Sequence, residues 1–219
     1  MARNKHPEET VNAILAAAAR LFSEKGYEKT SIQDIIDATK LSKGAIYHHF
    51  ASKEEIFIKM CECIGDENGR ELGKIRDDRS LNGAQKIKAM YRTALQDANQ
   101  KKMLKMVSYL LDNPKFLAIH IRSIFEESVP YYIEPILKEG IADGSIQAEH
   151  PKEVAEVLIM LSDVWLHPLL RPSAPEEIRA RCAVFNQITR QFGFEVMDEE
   201  LTEAMVEAGI MIQKQHAKE

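Results

Sequence analysis

Apolar residues recur at Val11, Ile14, Leu15, Ala18, Leu21 and Phe22, every third or fourth position, which predicts one stripe of an amphipathic helix. Its start is marked by His6-Pro7-Glu8-Glu9, with proline early in the first turn and acids near the positive end of the helix dipole. Gly26 is the expected C-cap. Thr30-Ser31 opens a second, short helix whose apolar face is Ile32, Ile35 and Ile36, and Asp34 falls three after Ser31 as in a capping box. A third helix has Ser42 at its N-cap, with Leu41 and Ile46 at the two staple positions that fix the entry of the chain. Ser52-Lys53-Glu54-Glu55 reads as another capping box, and Ile56 comes next in line for a core.

Beyond residue 60 the helical periodicity lengthens. Breaks are predicted near Ser80 to Gly83, at Asp112-Asn113-Pro114, from Gly140 to Pro151 and from Pro168 to Pro175, and Gly193 to Asp198 precedes a last helix. Pro130 and Pro135 are expected to break or kink the stretch Phe116 to Glu139. No segment sustains the two-residue alternation of a strand, so the expected fold class is all-α. The division expected is residues 1–52 as an N-terminal domain and 53–219 as a second helical domain, with a connecting fourth helix over about 53–76.

With 45% hydrophobic and 29% charged residues the chain has the balance of an ordinary globular protein. The segment MARNKHPEET has no apolar run of the signal-peptide kind, and the most apolar stretch, Leu158 to Leu170, is interrupted by Asp163, His167 and Pro168. A cytoplasmic location and no membrane contact are expected. Three cysteines give no disulfide framework; buried free thiols are the expected role for Cys61, Cys63 and Cys182. The net charge of −5 is uneven: residues 1–60 hold nine Lys/Arg against eight Asp/Glu, and Lys40 to Lys53 contains three lysines, two histidines and no acid. A local basic surface of that kind is what phosphate binding needs, whatever the charge of the whole chain.

That basic stretch contains LSKGAIYHHFASKEE, which concentrates serine, tyrosine and two histidines. Adjacent helical residues point about 100° apart, so His48 and His49 do not face a single metal. No acid lies between Lys40 and Lys53 to orient a catalytic imidazole. No catalytic residue, metal or cofactor is therefore expected. A short helix, a tight turn around Lys40-Leu41 and a second helix of about two turns instead form a helix-turn-helix, whose second helix enters the major groove of DNA. Gly44 and Ala45 are small enough to let the backbone approach a duplex, and Ser42 and Lys43 can hold phosphate.

In register, the Leu-Phe-x-x-x-Gly-Tyr end of helix one, the Thr-Ser start of helix two and Ser-Lys-Gly-x-x-Tyr-x-His-Phe-x-x-Lys-Glu resemble the DNA-binding region of TetR-family bacterial transcriptional regulators over roughly residues 8–60. The resemblance implies a double-stranded DNA operator, roughly palindromic, bound by a homodimer, and a small-molecule effector taken up by the second domain; repression is the expected sign. An alternative keeps the DNA-binding fold and places it under a protein partner. Carried over residue by residue, the resemblance gives phosphate contacts to Thr30, Ser31, Ser42, Lys43, Tyr47 and Lys53, and a base contact to Ala45. Gly44 allows the approach, His48 faces the groove, and His49 and Phe50 pack inward. Met90, Tyr91, Met106, Tyr109, Phe125, Tyr132 and Trp165 are candidates to line an effector pocket, although methionines and aromatics at helical spacing also make ordinary core. Glu126, Glu127, Glu134 and Asp163 near them suggest a cationic, partly aromatic ligand. For the dimer face the wide apolar stripes of two helices offer Val154, Val157, Leu158 and Leu161, and Ile178, Cys182, Phe185, Ile188 and Phe192.

Overall fold

A computed structural model describes residues 7–96, 114–168 and 170–216, and among them every regular element is helical. The helices are α1 (Pro7–Lys25), α2 (Ile32–Thr39), α3 (Lys43–His49), α4 (Lys53–Asp77), α5 (Gly83–Gln96), α6 (Pro114–Ser123), α7 (Glu134–Asp143), α8 (Pro151–Met160), α9 (Pro175–Arg190) and α10 (Glu199–His216). Two π-helical segments, Ile124–Ile133 and Leu161–Trp165, join α6 to α7 and extend α8. The chain divides into two compact units, residues 1–69 and 70–219. The boundary thus falls inside α4, later than the expected residue 53, because the first turns of α4 bury Ile56, Phe57 and Met60 in the core of the first unit.

The expected caps hold the first unit's helices. Gly26 adopts φ 83° and closes α1, its N–H donating to Phe22 O at 3.0 Å. Ser31 and Asp34 form a complete capping box at α2. At α4 the Ser52 hydroxyl accepts from Glu55 N at 3.2 Å, but the Glu55 carboxylate reaches one residue further back, to Ala51 N at 2.7 Å. The core beneath gathers Ile14, Ala18 and Phe22 of α1, Ile35 and Ile36 of α2, and Ile46 of α3. Phe22, Tyr27 and Phe57 stack edge-on with ring centroids 5.1–5.8 Å apart.

The prolines at 130 and 135 do not break the chain. A proline lacks the N–H an α-helix requires and its ring strikes the carbonyl four residues back. The wider π register carries the helix past Pro130: Glu134 N–H donates to Val129 O, five residues back. Pro135 then sits in the first turn of α7, where no N–H is needed.

In the second unit α5 and α7 approach so closely that a Cβ on Gly83 would stand 2.2 Å from Gly140 Cα. Asp143 Oδ2 accepts from Gly83 N at 2.8 Å, and Ser145 Oγ accepts from Ala84 N at 3.1 Å, so α7's end caps α5's start. One turn on, Lys86 is 2% exposed and donates to both Glu139 carboxylate oxygens at 2.6–2.7 Å and to Arg76 O at 2.8 Å.

Several residues expected on a dimer face belong to this protomer's own core. Leu158, Ile178, Cys182 and Phe185 are all buried against the α5, α7 and α10 cluster, because α9 turns its larger side chains inward. Val154, Leu161, Ile188 and Phe192 are half-buried, and Val157 and Val184 are exposed. Of the pocket candidates, Met90 is also core, while Phe125 is 43% exposed. Tyr91, Tyr132 and Trp165 are partly buried against the core; Met106 and Tyr109 lie outside the described residues. Among the cysteines Cys182 is buried, and burial pushes its thiol up to about 11 and that of Cys61 up to about 12, whereas Cys63 is exposed.

Gly83→Ala is expected to force α5 and α7 apart and cost about 1–3 kcal/mol. Gly73→Ala in α4, where a methyl meets nothing within 4 Å, should instead stabilise, by at most about 1 kcal/mol. Urea unfolding midpoints of the two variants check the contrast.

Candidate nucleic-acid interface

The reading surface is built by packing one short helix from beneath. At seven residues α3 is too short to persist alone. Ile46 is fully buried and Phe50 nearly so, while Ser42 caps the helix by accepting from Ala45 N at 3.2 Å. With those positions committed inward, Ser42, Lys43, Gly44, Tyr47 and His48 are exposed, Ala45 is half-buried between them, and no acid interrupts them. A Cβ placed on Gly44 would meet nothing within 4 Å. Nothing in the protein itself requires glycine there.

The Lys43 ammonium lies 5.7 Å from the centre of the Tyr47 ring, a loose cation–π contact that keeps both on the same face. His48 and His49 meet edge to face at 5.1 Å; His48 is exposed and His49 half-buried. Among the described residues no group of three or more metal-binding side chains gathers anywhere in the protein.

Two expected phosphate contacts are placed differently. Thr30 is 1% exposed and its hydroxyl donates to Gly26 O at 2.7 Å, so it closes the α1–α2 turn and does not face outward. Lys53 lies 4.1 Å over the Tyr27 ring and donates to Tyr27 O at 2.8 Å. Its ammonium is engaged by the same turn, which α4 thereby clamps. Ser31 is exposed, but its hydroxyl donates to the Asp34 carboxylate at 2.6 Å. Lys25, 2.8 Å away, together with Ser31 holds the Asp34 carboxyl well below the usual carboxylate range.

Lys40, in the tight turn, is a further basic residue beyond the expected contacts. Lys40 ends α2 in the left-handed region at φ 56°, φ being positive at no other non-glycine residue among those described. Side chains other than glycine or asparagine avoid this conformation. The signal in the sequence was the turn itself, which needs a left-handed residue between α2 and α3 and has a lysine where glycine is the easy choice. Its exposed side chain adds to the basic surface beside Lys43.

A trihelical unit that presents a capped, acid-free second helix outward is a helix-turn-helix DNA-binding module. Residues 14–60 match the family described as bacterial regulatory proteins, tetR family, and the chain is a TetR-family transcriptional regulator. It is similar to the HTH-type transcriptional repressor KstR2 of Mycolicibacterium smegmatis, 26% identical over 65% of this chain and 70% of that protein. It is equally similar to the repressor AcnR of Corynebacterium glutamicum, 26% identical over 73% of this chain and 80% of that one. The A-factor receptor protein of Streptomyces griseus is 45% identical, but over only 26% of this chain and 20% of its own length. The fold as a whole resembles a transcriptional regulator from Cytophaga hutchinsonii, with a TM-score of 0.62 and 19% identity over 95% of this chain and 98% of that one. The reduced form of NemR from E. coli gives a TM-score of 0.58 at 19% identity, over 92% and 95%.

Lys40→Gly should relieve the left-handed lysine and stabilise the protein by about 1 kcal/mol, visible as a higher denaturant midpoint.

Proposed function

We propose that the protein is a ligand-responsive repressor that binds a roughly palindromic operator as a homodimer, with one α3 in each half-site. The observation that carries this is the exposed face of α3, free of acids and open above Gly44. On that face Ser42, Lys43 and Tyr47 hold phosphate, Ala45 and His48 reach base edges, and Ser31 adds a contact from the start of α2. Lys40 joins them, and Thr30 and Lys53 support the surface from within. The sign of regulation is supported by the relatives named as repressors, KstR2 and AcnR. Effector binding in the second unit shifts the population of the DNA-competent state, and the protein acts in the cytoplasm.

The second copy docks on the outward side of α8 and α9. Val157 is 50% exposed and Val184 41%, and Ala180 and Ala183 keep the surface of α9 low enough for a neighbouring helix to approach. This replaces the face first expected, since the larger stripe residues are already used.

Electrophoretic mobility shifts on the DNA upstream of the protein's own gene test the first part. Gly44→Ala should leave the melting temperature unchanged or raised yet weaken binding at least tenfold, and Lys43→Ala should weaken it across all sequences. Retained affinity in both variants would refute the assignment. Sedimentation tests the second part: the wild type should run at twice 24.9 kDa, and the double variant Val157→Glu, Val184→Glu at 24.9 kDa. A wild-type monomer at micromolar concentration would disprove the dimer.

A further inference from the structure

Helix α4 is anchored at its two ends and held by little in between. Its first turns bury Ile56, Phe57 and Met60 in the core of the first unit. At the far end Leu72 and Ile75 pack against the core of the second unit. There the Arg76 carbonyl accepts from Lys86 at 2.8 Å, and the Arg76 guanidinium donates to Tyr131 O at 2.8 Å. From Cys61 to Glu71, among the described residues, no side chain is buried. The boundary between the two units, after Gly69, falls in this same stretch. A helix without a buried face relies on its own backbone, and isolated helices shorter than about 12–15 residues are marginal in water.

The residues of the stretch weaken it further. Gly65, Gly69 and Gly73 recur at every fourth position of α4. Glycine has the most backbone freedom to lose, so each one in place of alanine makes a helix interior about fivefold easier to open. Packing does not account for them: a Cβ on Gly65 or on Gly73 would meet nothing within 4 Å. At Gly83, by contrast, a Cβ would strike the backbone of α7. The pairs Lys59–Glu62 and Glu71–Lys74 stand at the two edges of the stretch, and exposed pairs of this kind add little. The backbone nonetheless stays helical from Lys53 to Asp77, so the weakness lies in the cost of opening and not in a break.

We propose that residues 61–71 of α4 form a soft joint, whose hydrogen bonds open far more readily than those at either anchored end. The joint lets each reading helix adjust to the spacing of two half-sites. That consequence rests on the reading of the protein as a dimeric operator-binding regulator; the joint itself does not. Amide hydrogen exchange of the full chain, followed by mass spectrometry, tests the joint alone. Amides of residues 65–71 should exchange at least tenfold faster than those of 57–60 in the same helix. The double variant Gly65→Ala, Gly73→Ala should slow them at least fivefold. Equal protection along wild-type α4, or exchange unaltered by the two alanines, would overturn the joint. Mobility shifts then compare the operator with a copy carrying one extra base pair between its half-sites. The wild type should lose less than tenfold in affinity on the longer DNA, and the double variant at least tenfold more than the wild type does. A wild type that loses more, or a variant that tolerates the insertion equally well, overturns the adjustment to spacing. Failure of both proteins to bind upstream DNA refutes the regulator, and the adjustment with it, while the joint stands on the exchange result.

Discussion

The second unit depends on an ammonium ion held inside it. Lys86 has almost no contact with water and donates to three oxygens, two on Glu139 of α7 and one on the backbone of Arg76 near the end of α4. An unpaired charge in that position would cost several kcal/mol, on the order of the whole stability of a domain. The pairing therefore favours the arrangement in which the three segments meet around the lysine. Other choices follow: α5 and α7 come together at bare glycines, and the end of α7 caps the start of α5. Arg76 extends the arrangement by donating to Tyr131 O at 2.8 Å, while its guanidinium lies 5.9 Å from the Tyr132 ring. The last turn of α4 is thus tied to the π-helical segment that carries Pro130.

The first unit is organised around a different element, the turn between α1 and α2. Thr30, Lys53 and the Tyr27 ring all converge on it, the first two through its carbonyls. Two residues that a linear reading would send to DNA are spent on keeping this turn rigid. What remains exposed is a narrower set on α3, oriented by Ile46 and Phe50 from below.

Much of this could be read from the sequence because it is local. Caps, staples and the three-to-four-residue rhythm are set within a few positions of each other, and Ser31, Ser42, Ser52 and Gly26 all sit at the helix ends their chemistry suits. What could not be read was which side of an amphipathic stripe is already taken. The stripe of α9 is wide, but Ile178, Cys182 and Phe185 face the protomer's own core, and only contacts far apart in sequence decide that. The engagement of Lys53 is likewise long-range, with a carbonyl twenty-six residues away, whereas Thr30 is turned inward by a local bond to Gly26 O four residues back. The prolines misled in another way: periodicity assumes an α register, and the chain changed register to keep its helix.

The engagement of Lys53 bears on how the protein grips arbitrary DNA. Binding to arbitrary DNA is driven by the release of counterions as cations meet phosphates, and scales with the number of free charges offered. Among the described residues around α2 and α3, Lys29, Lys40 and Lys43 stay exposed, on a chain whose net charge is −5. The fewer free cations a surface offers, the weaker its grip on arbitrary sequence and the less that grip responds to salt.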